Sequence, residues 1–290
     1  MNAKKKRLGT KAQIRAEKER QRRIGTVIFT ALILIVILFS AYFGYSLLSQ
    51  PQNQTLSQES SQPKAAIVDQ LSLTFPNQTF IEAATNILKQ AGYTVDYYPG
   101  EQVTVNFYRN LPTQGYSIII LRVHSTSTNP DETEGPVTLF TSERYDRSKY
   151  VYEQLTDQLV LVAYSQHEMK EGITYFGINP PFVTQSMNGR FQNTIVIMMG
   201  CEGLDNSLMA EAFVEKGAKV YISWNQQVTA SHTDTATTRL LQHFLIEKLT
   251  VKKAIQETYK DIGADPIYKS LLIAYPIEAL NYTIDDIKVQ

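Results

Sequence analysis

A single cysteine, Cys201, sits in Gly200-Cys201-Glu202-Gly203, directly after the apolar run 194–199, and His124 closes a second such run at 116–123. A thiol and an imidazole can act as nucleophile and general base. The thiolate is the reactive form, and its pKa falls near a helix N-terminus or a protonated imidazole. Asp205 and Asn206 are good helix N-cap residues, so the thiol is expected between a strand and a helix start, with a lowered pKa. A sharp turn flanked by Gly200 and Gly203 lets backbone N–H groups face a carbonyl oxygen, as an oxyanion hole requires. The alternative is a buried, inert cysteine and a histidine satisfied at a strand end. His167, His232 and His243 have no comparable context, and no pair of histidines has metal-ligand spacing, so neither a metal nor another cofactor is expected.

These residues depend on the elements around them. Residues 80–90 place Ile81, Ala84, Ile87 and Leu88 on one helical stripe, which Ala91-Gly92 ends. Strands are expected at 93–98, 116–123, 194–199, 219–224 and 271–275, and helices at 104–111, 207–216, 233–248 and 251–262. The runs 116–123 and 194–199 are continuously apolar, the pattern of strands buried on both faces of a parallel sheet. Alternating strands and helices imply an α/β fold with a mostly parallel sheet and helices on both faces. Sites in such sheets form at the carboxyl ends of strands, where His124 and Cys201 fall. Residues 126–135 read as a polar loop, and the closely spaced β-like runs 137–141, 158–164 and 174–178 read as a β-hairpin insertion beside the main sheet.

The N-terminus sets the chain's class. Residues 24–48 hold no charged residue, enough to cross a hydrocarbon core as one helix. Residues 1–23 carry ten Lys or Arg against Glu17 and Glu19, a net of +8, and no Lys or Arg follows the apolar run until Lys64. Positive charge stays on the cytoplasmic side, so the expected order is a basic cytoplasmic tail (1–23), a transmembrane helix (24–48), a disordered Gln/Ser/Pro-rich stalk (49–63) and an extracytoplasmic α/β domain (64–290). A cleaved signal peptide would have a shorter apolar region and a small-residue cleavage site after it, and neither is present. Beyond the tail the chain carries 18 basic and 26 acidic residues, a net of −8, which argues against nucleic acid as a partner. The basic tail suits a lipid bilayer with anionic headgroups. One cysteine excludes an internal disulfide. Sequons stand at Asn53, Asn77 and Asn281, though chance accounts for them as readily as glycosylation does.

Residues 194–262 resemble the C-terminal half of caspase-like cysteine peptidases, most nearly the CHAT-type domains, in a superfamily that includes the gingipains. The likeness rests on Gly200-Cys201-Glu202-Gly203 after an apolar strand, then Ala212-Phe213, Gly217-Ala218, Trp224, Asp234 and Ala236-Thr237 in that order. Residues 119–124 resemble the strand that carries the family's histidine. The resemblance implies a caspase-like fold and cysteine endopeptidase activity, with Cys201 as nucleophile and His124 as base. It implies the backbone N–H groups of Ser125 and Cys201 as oxyanion donors, and a polypeptide substrate. Trp224 to Asp234 falls where the family builds the pocket for the residue before the cleaved bond. An acidic Asp234 there favours a basic substrate side chain. Asp234 as the cap of a nearby helix is the alternative.

Two departures stand out. Ser125 follows the histidine where the family usually has Gly, and 77 residues separate His124 from Cys201, more than is usual. Three functions therefore remain distinct: a membrane-anchored peptidase, an inactive caspase-like domain that binds a peptide or surface partner, and an unrelated α/β sensor domain with a pocket lined by other residues.

Overall fold

Four apolar strands buried along nearly their whole length build the centre of the domain. In the computed structural model of the chain, the residues described are 18–20, 22–23, 32–40, 42, 62–127 and 135–287. The chain divides into two units, 1–61 and 62–290. In the first, the described residues are helical and exposed. The expected membrane span at 24–48 lies largely outside the described residues. No helix among those that are described is long and apolar enough to cross a membrane. Most of the expected basic tail and stalk also lies outside them, and Gln62 and Pro63 have no regular structure.

The second unit runs β1 (Lys64–Asp69), α1 (Gln78–Gln90), β2 (Thr94–Pro99), α2 (Val105–Asn110), β3 (Tyr116–Arg122), β4 (Ser125–Ser127) and β5 (Val137–Arg144). It continues with α3 (Val151–Leu155), β6 (Leu159–Val162), α4 (Gln166–Lys170), β7 (Tyr175–Ile178), β8 (Thr194–Met198), α5 (Leu208–Glu215) and β9 (Ala218–Trp224). It ends with α6 (Ala230–Leu241), α7 (Val251–Ile262), β10 (Leu272–Tyr275) and α8 (Ile284–Ile287). The main sheet has the order β10-β9-β8-β3-β1-β2. All its pairings are parallel except β9 with β10.

Side-chain alternation explains why both faces are covered. Ala65, Ile67, Ile118, Ile120, Ile195, Ile197, Val220 and Ile222 pack under α1, α6 and α7. Ala66, Val68, Ile119, Leu121, Val196, Met198 and Tyr221 face α2, α5 and the second sheet. A strand apolar on both faces belongs in the middle of a parallel sheet. Helix α1 starts where the Asn77 side chain accepts the Phe80 N–H, and it buries Phe80, Ile81, Ala84 and Leu88.

The expected hairpin insertion is a complete four-stranded antiparallel sheet, β4-β5-β7-β6. The expected loop at 126–135 gives way at its start, because Ser125–Ser127 pairs with β5 as β4; residues 128–134 lie outside the described residues. This second sheet occupies the long interval between His124 and Cys201. Strand β1, which sequence periodicity did not single out, pairs with both β2 and β3. The first β-α-β excursion thus runs to one side of β1 and the rest of the chain to the other, the arrangement that opens a crevice at the strands' carboxyl ends.

Candidate functional site

Four consecutive strand ends form one crevice. Residues just after β1 (Leu71, Phe75), β3 (Val123, His124), β8 (Met199, Gly200, Cys201) and β9 (Val228, Thr229, Ala230) line a cavity of about 300 Å³. The two residues that the sequence put forward as a pair therefore share one wall, and each is half-buried.

The imidazole is held from several sides. His124 Nε2 lies 2.9 Å from Thr74 Oγ1. The Thr74 hydroxyl also lies 3.5 Å from the Leu71 carbonyl; with its proton turned there, it accepts from the ring. That assignment puts the proton on Nε2 and leaves Nδ1 with its lone pair, free of any hydrogen bond among the described residues. The His124 backbone N–H donates to Gln70 Oε1 at 2.9 Å. Tyr164 stacks on the ring at 5.4 Å and 22°, while Phe140 and Phe75 approach it at 6.0 Å. Phe140 lies in β5 and Tyr164 just past β6, so the second sheet backs the imidazole. Burial, then the positive charge of Arg122, lowers the His124 pKa to about 4, and the ring is neutral near pH 7.

The thiol sits on a tight turn. A Cβ on Gly200 would collide with the Val123 carbonyl and the Ser125 hydroxyl, and one on Gly203 would collide with the Ser223 side chain. Only glycine lets this turn approach the end of β3 so closely. Glu202 between them adopts a left-handed φ of 60°, which costs roughly 1–2 kcal/mol for a residue with a side chain. The turn is stitched to the chain after β9 by Glu202 N–H to Gln226 O at 2.9 Å and Leu204 N–H to Trp224 O at 2.8 Å. The Ser125 hydroxyl donates to the Cys201 carbonyl, which ties the histidine's strand end to the cysteine's.

Cys201 Sγ donates to the Val228 carbonyl at 3.5 Å. Among the described residues no hydrogen bond joins it to His124. The expected lowering of its pKa is reversed: burial pushes the thiol up, and the charges of Glu202 and Asp265 add to that. Helix α5 begins only at Leu208, and its dipole acts over little more than its first turn, so it does not offset them. Asn206 does help to start that helix, by accepting the Leu208 N–H at 3.2 Å. At rest the pair is a neutral thiol beside a neutral imidazole.

The Cys201 backbone N–H lies within hydrogen-bond reach of its own sulfur, and that of Ser125 is not spent on the β4–β5 ladder. The Phe140 N–H bonds the His124 carbonyl at 2.9 Å. Antiparallel pairs alternate, so the Ser125 N–H turns away from β5.

Trp224 and Asp234 do not join this cavity. Trp224 is 2% exposed, donates from Nε1 to Thr233 Oγ1 at 2.9 Å, and borders a separate cavity of about 680 Å³ between α7 and β10. Asp234 is 4% exposed. Its two oxygens take Nε and Nη2 of Arg122 at 2.7 and 2.9 Å, and Asn77 Nδ2 donates to one of them at 2.8 Å. It is neither an unpaired pocket acid nor a helix cap, since Arg122 and Asn77 occupy its oxygens and α6 starts four residues earlier with Thr229 at the cap position. The same contact occupies the amide of the Asn77 sequon.

Sequence reasoning missed Arg122, Asp69 and Thr74. The Arg122 guanidinium is fully buried, pairs with Asp69 at 2.7 Å as well as with Asp234, and donates from Nη2 to the Phe75 carbonyl at 2.8 Å. A cation inside an otherwise apolar strand run was a visible signal, since buried arginines are almost always paired. Thr74 carried none, because its role depends on the turn after β1. Among the described residues no cluster of metal-ligating side chains occurs. Comparison with models of known protein families finds no match, and none of the characterised proteins compared matches the chain.

Proposed function

We propose that this chain is a membrane-anchored, extracytoplasmic cysteine endopeptidase of the caspase-like type, with Cys201 as nucleophile and His124 as base. The observation that carries the reading is the shared crevice: two adjacent parallel strands, β3 and β8, deliver an imidazole with a free Nδ1 and a half-buried thiol to one cavity. The order of short motifs from Gly200 to Thr237 adds the resemblance to the caspase-like peptidases.

In this mechanism the substrate carbonyl enters beside Cys201. The sulfur bonds to the carbonyl carbon while the thiol proton passes to His124 Nδ1, so two neutral groups become an ion pair only as the bond forms. The carbonyl oxygen takes the negative charge against the N–H groups of Cys201 and Ser125. Collapse breaks the C–N bond, and the imidazolium gives its proton to the leaving amine. Water, deprotonated by the same imidazole, then attacks the thioester, releases the acid product and returns the proton to sulfur. Thr74 holds the ring in the tautomer that both steps need.

The anchor rests on the uncharged run 24–48 and the +8 tail before it, which orient the domain to the outside. Its partners are the bilayer and a polypeptide. A peptide library incubated with wild type and with Cys201→Ala tests the activity: cleavage by the wild type alone is expected, and equal cleavage by both would overturn it. The raised thiol and the missing ring–thiol hydrogen bond favour one second reading, a caspase-like domain that binds peptides without turnover.

A further inference from the structure

The cavity beside Cys201 has a composition of its own. Leu71, Phe75, Met199, Val228 and Tyr268 are among its lining residues, and no Asp, Glu, Lys or Arg is. Its threonine hydroxyls are already committed. Thr229 Oγ1 donates to Asp265 at 2.8 Å, and Thr233 Oγ1 donates to the Met199 carbonyl at 2.9 Å while accepting from Trp224. The carboxylates packed behind the lining are saturated too. Asp234 is taken by Arg122 and Asn77, and Asp265 accepts from Thr229 N–H and Oγ1 and from the N–H groups of Ile267 and Tyr268.

Apart from His124, Cys201 and the Tyr268 phenol, the lining offers a charged side chain no counter-charge and an amide no uncommitted hydroxyl. Each would give up its water without replacement. An apolar side chain loses only water contact, which favours it. At about 300 Å³ the cavity stands at the small end of ligand pockets, a size for one side chain rather than an extended group.

We infer that this cavity takes an uncharged apolar side chain, of Leu, Met or Phe type, on the residue whose carbonyl meets Cys201. The inference rests on the peptidase reading for which residue is selected, and it replaces the basic preference that an open Asp234 would have given.

The test uses peptidyl acyloxymethyl ketones that differ only in the residue next to the ketone: Leu, Phe, Ala, Lys, Asp or Gln. In each, Cys201 sulfur bonds to the ketone's methylene carbon, a carboxylate leaves, and the thiol proton passes to His124 and then to solvent. Intact-mass spectrometry on the full chain in detergent follows the rate. Leu and Phe probes are expected to label Cys201 at least roughly tenfold faster than Ala, the discrimination an apolar pocket achieves, and faster still than Lys, Asp and Gln. Ala230 lines the cavity and is the first residue of α6, where a carboxylate suits the helix dipole. Ala230→Asp is therefore expected to shift labelling toward Lys. A wild type that favours Lys, Asp or Gln, or ranks all probes alike, overturns the inference and leaves the peptidase reading standing. No labelling by any probe overturns the peptidase reading. The same peptides as free acids, titrated by fluorescence anisotropy onto Cys201→Ala, then decide the cavity: Leu and Phe binding tighter than Lys and Asp upholds it, and any other order overturns it.

Discussion

Two clusters sit at the carboxyl end of the same sheet, two residues apart on one strand, and they are built in opposite ways. Around Arg122 the polar groups are paired: two carboxylates, a carbonyl, an amide and, through Tyr97 Oη on Asp69 at 3.1 Å, a phenol. Around His124 and Cys201 the pairing is partial. Among the described residues one ring nitrogen has no hydrogen bond, the thiol reaches only the Val228 carbonyl at 3.5 Å and its own backbone N–H, and the Ser125 N–H turns away from β5. A saturated network fixes positions but has nothing left to offer a ligand. An unsaturated one has groups left over to meet a ligand. The first cluster serves the second: Arg122 holds the Phe75 carbonyl, next to the Thr74 that orients the imidazole.

The sharpest way to break this contrast is Arg122→Met. It strands two buried carboxylates, and a loss of about 3–5 kcal/mol in urea unfolding is expected. A loss below 1 kcal/mol would mean that the network is decoration. Acidity should separate the clusters next. Folded His124 resists its proton until about pH 4, whereas an unfolded histidine takes it near 6.5. The unfolded state therefore gains as pH falls between those values; the stability His124 supports is complete above 6.5 and drains toward 4, by no more than about 3 kcal/mol. His124→Asn should lack that part of the slope, and identical slopes in both proteins would contradict the burial argument.

Smaller effects refine the picture. Gly200→Ala forces a Cβ against the Val123 carbonyl and the Ser125 hydroxyl, and about 2 kcal/mol of overpacking is expected, with cleavage lost because the turn shifts. Thr74→Val removes the acceptor for Nε2–H, which should lower cleavage about five- to tenfold, in line with one hydrogen bond of roughly 1 kcal/mol. Thr74→Ser should restore the rate, and nitrogen NMR of the ring should show mixed tautomers in the valine variant alone. Cys201→Ala should cost less than about 1 kcal/mol of stability while removing turnover entirely. A larger loss of stability would place that sulfur in the structural cluster instead.

Much of this was visible in the sequence. The runs ending at His124 and Cys201 were long and apolar on both faces, and that pattern alone placed two strands at the middle of a parallel sheet and both residues at its carboxyl end. The turn residues Gly200 and Gly203 marked the close approach. What escaped depended on distant partners. Strand β1 is short and one-third alanine, so its apolar run is weak, yet it carries the turn with Thr74 and Gln70. Asp234 looked available because its partner lies 112 positions earlier. The thiol's direction of shift was misjudged because local helix signals say nothing of burial. The second sheet was legible as strands but not as the wall behind the imidazole, since Phe140 and Tyr164 reach His124 only through tertiary packing.

The claim on which all else depends is that the thiol and the imidazole work as one pair. Acid-quenched mass spectrometry of full-length protein mixed with an apolar-residue peptide ester tests it most directly. Wild type should show an acyl group on the peptide that contains Cys201, and Cys201→Ala and His124→Ala should show none. Acylation at undiminished rate in His124→Ala, or acyl groups on other residues only, would contradict it.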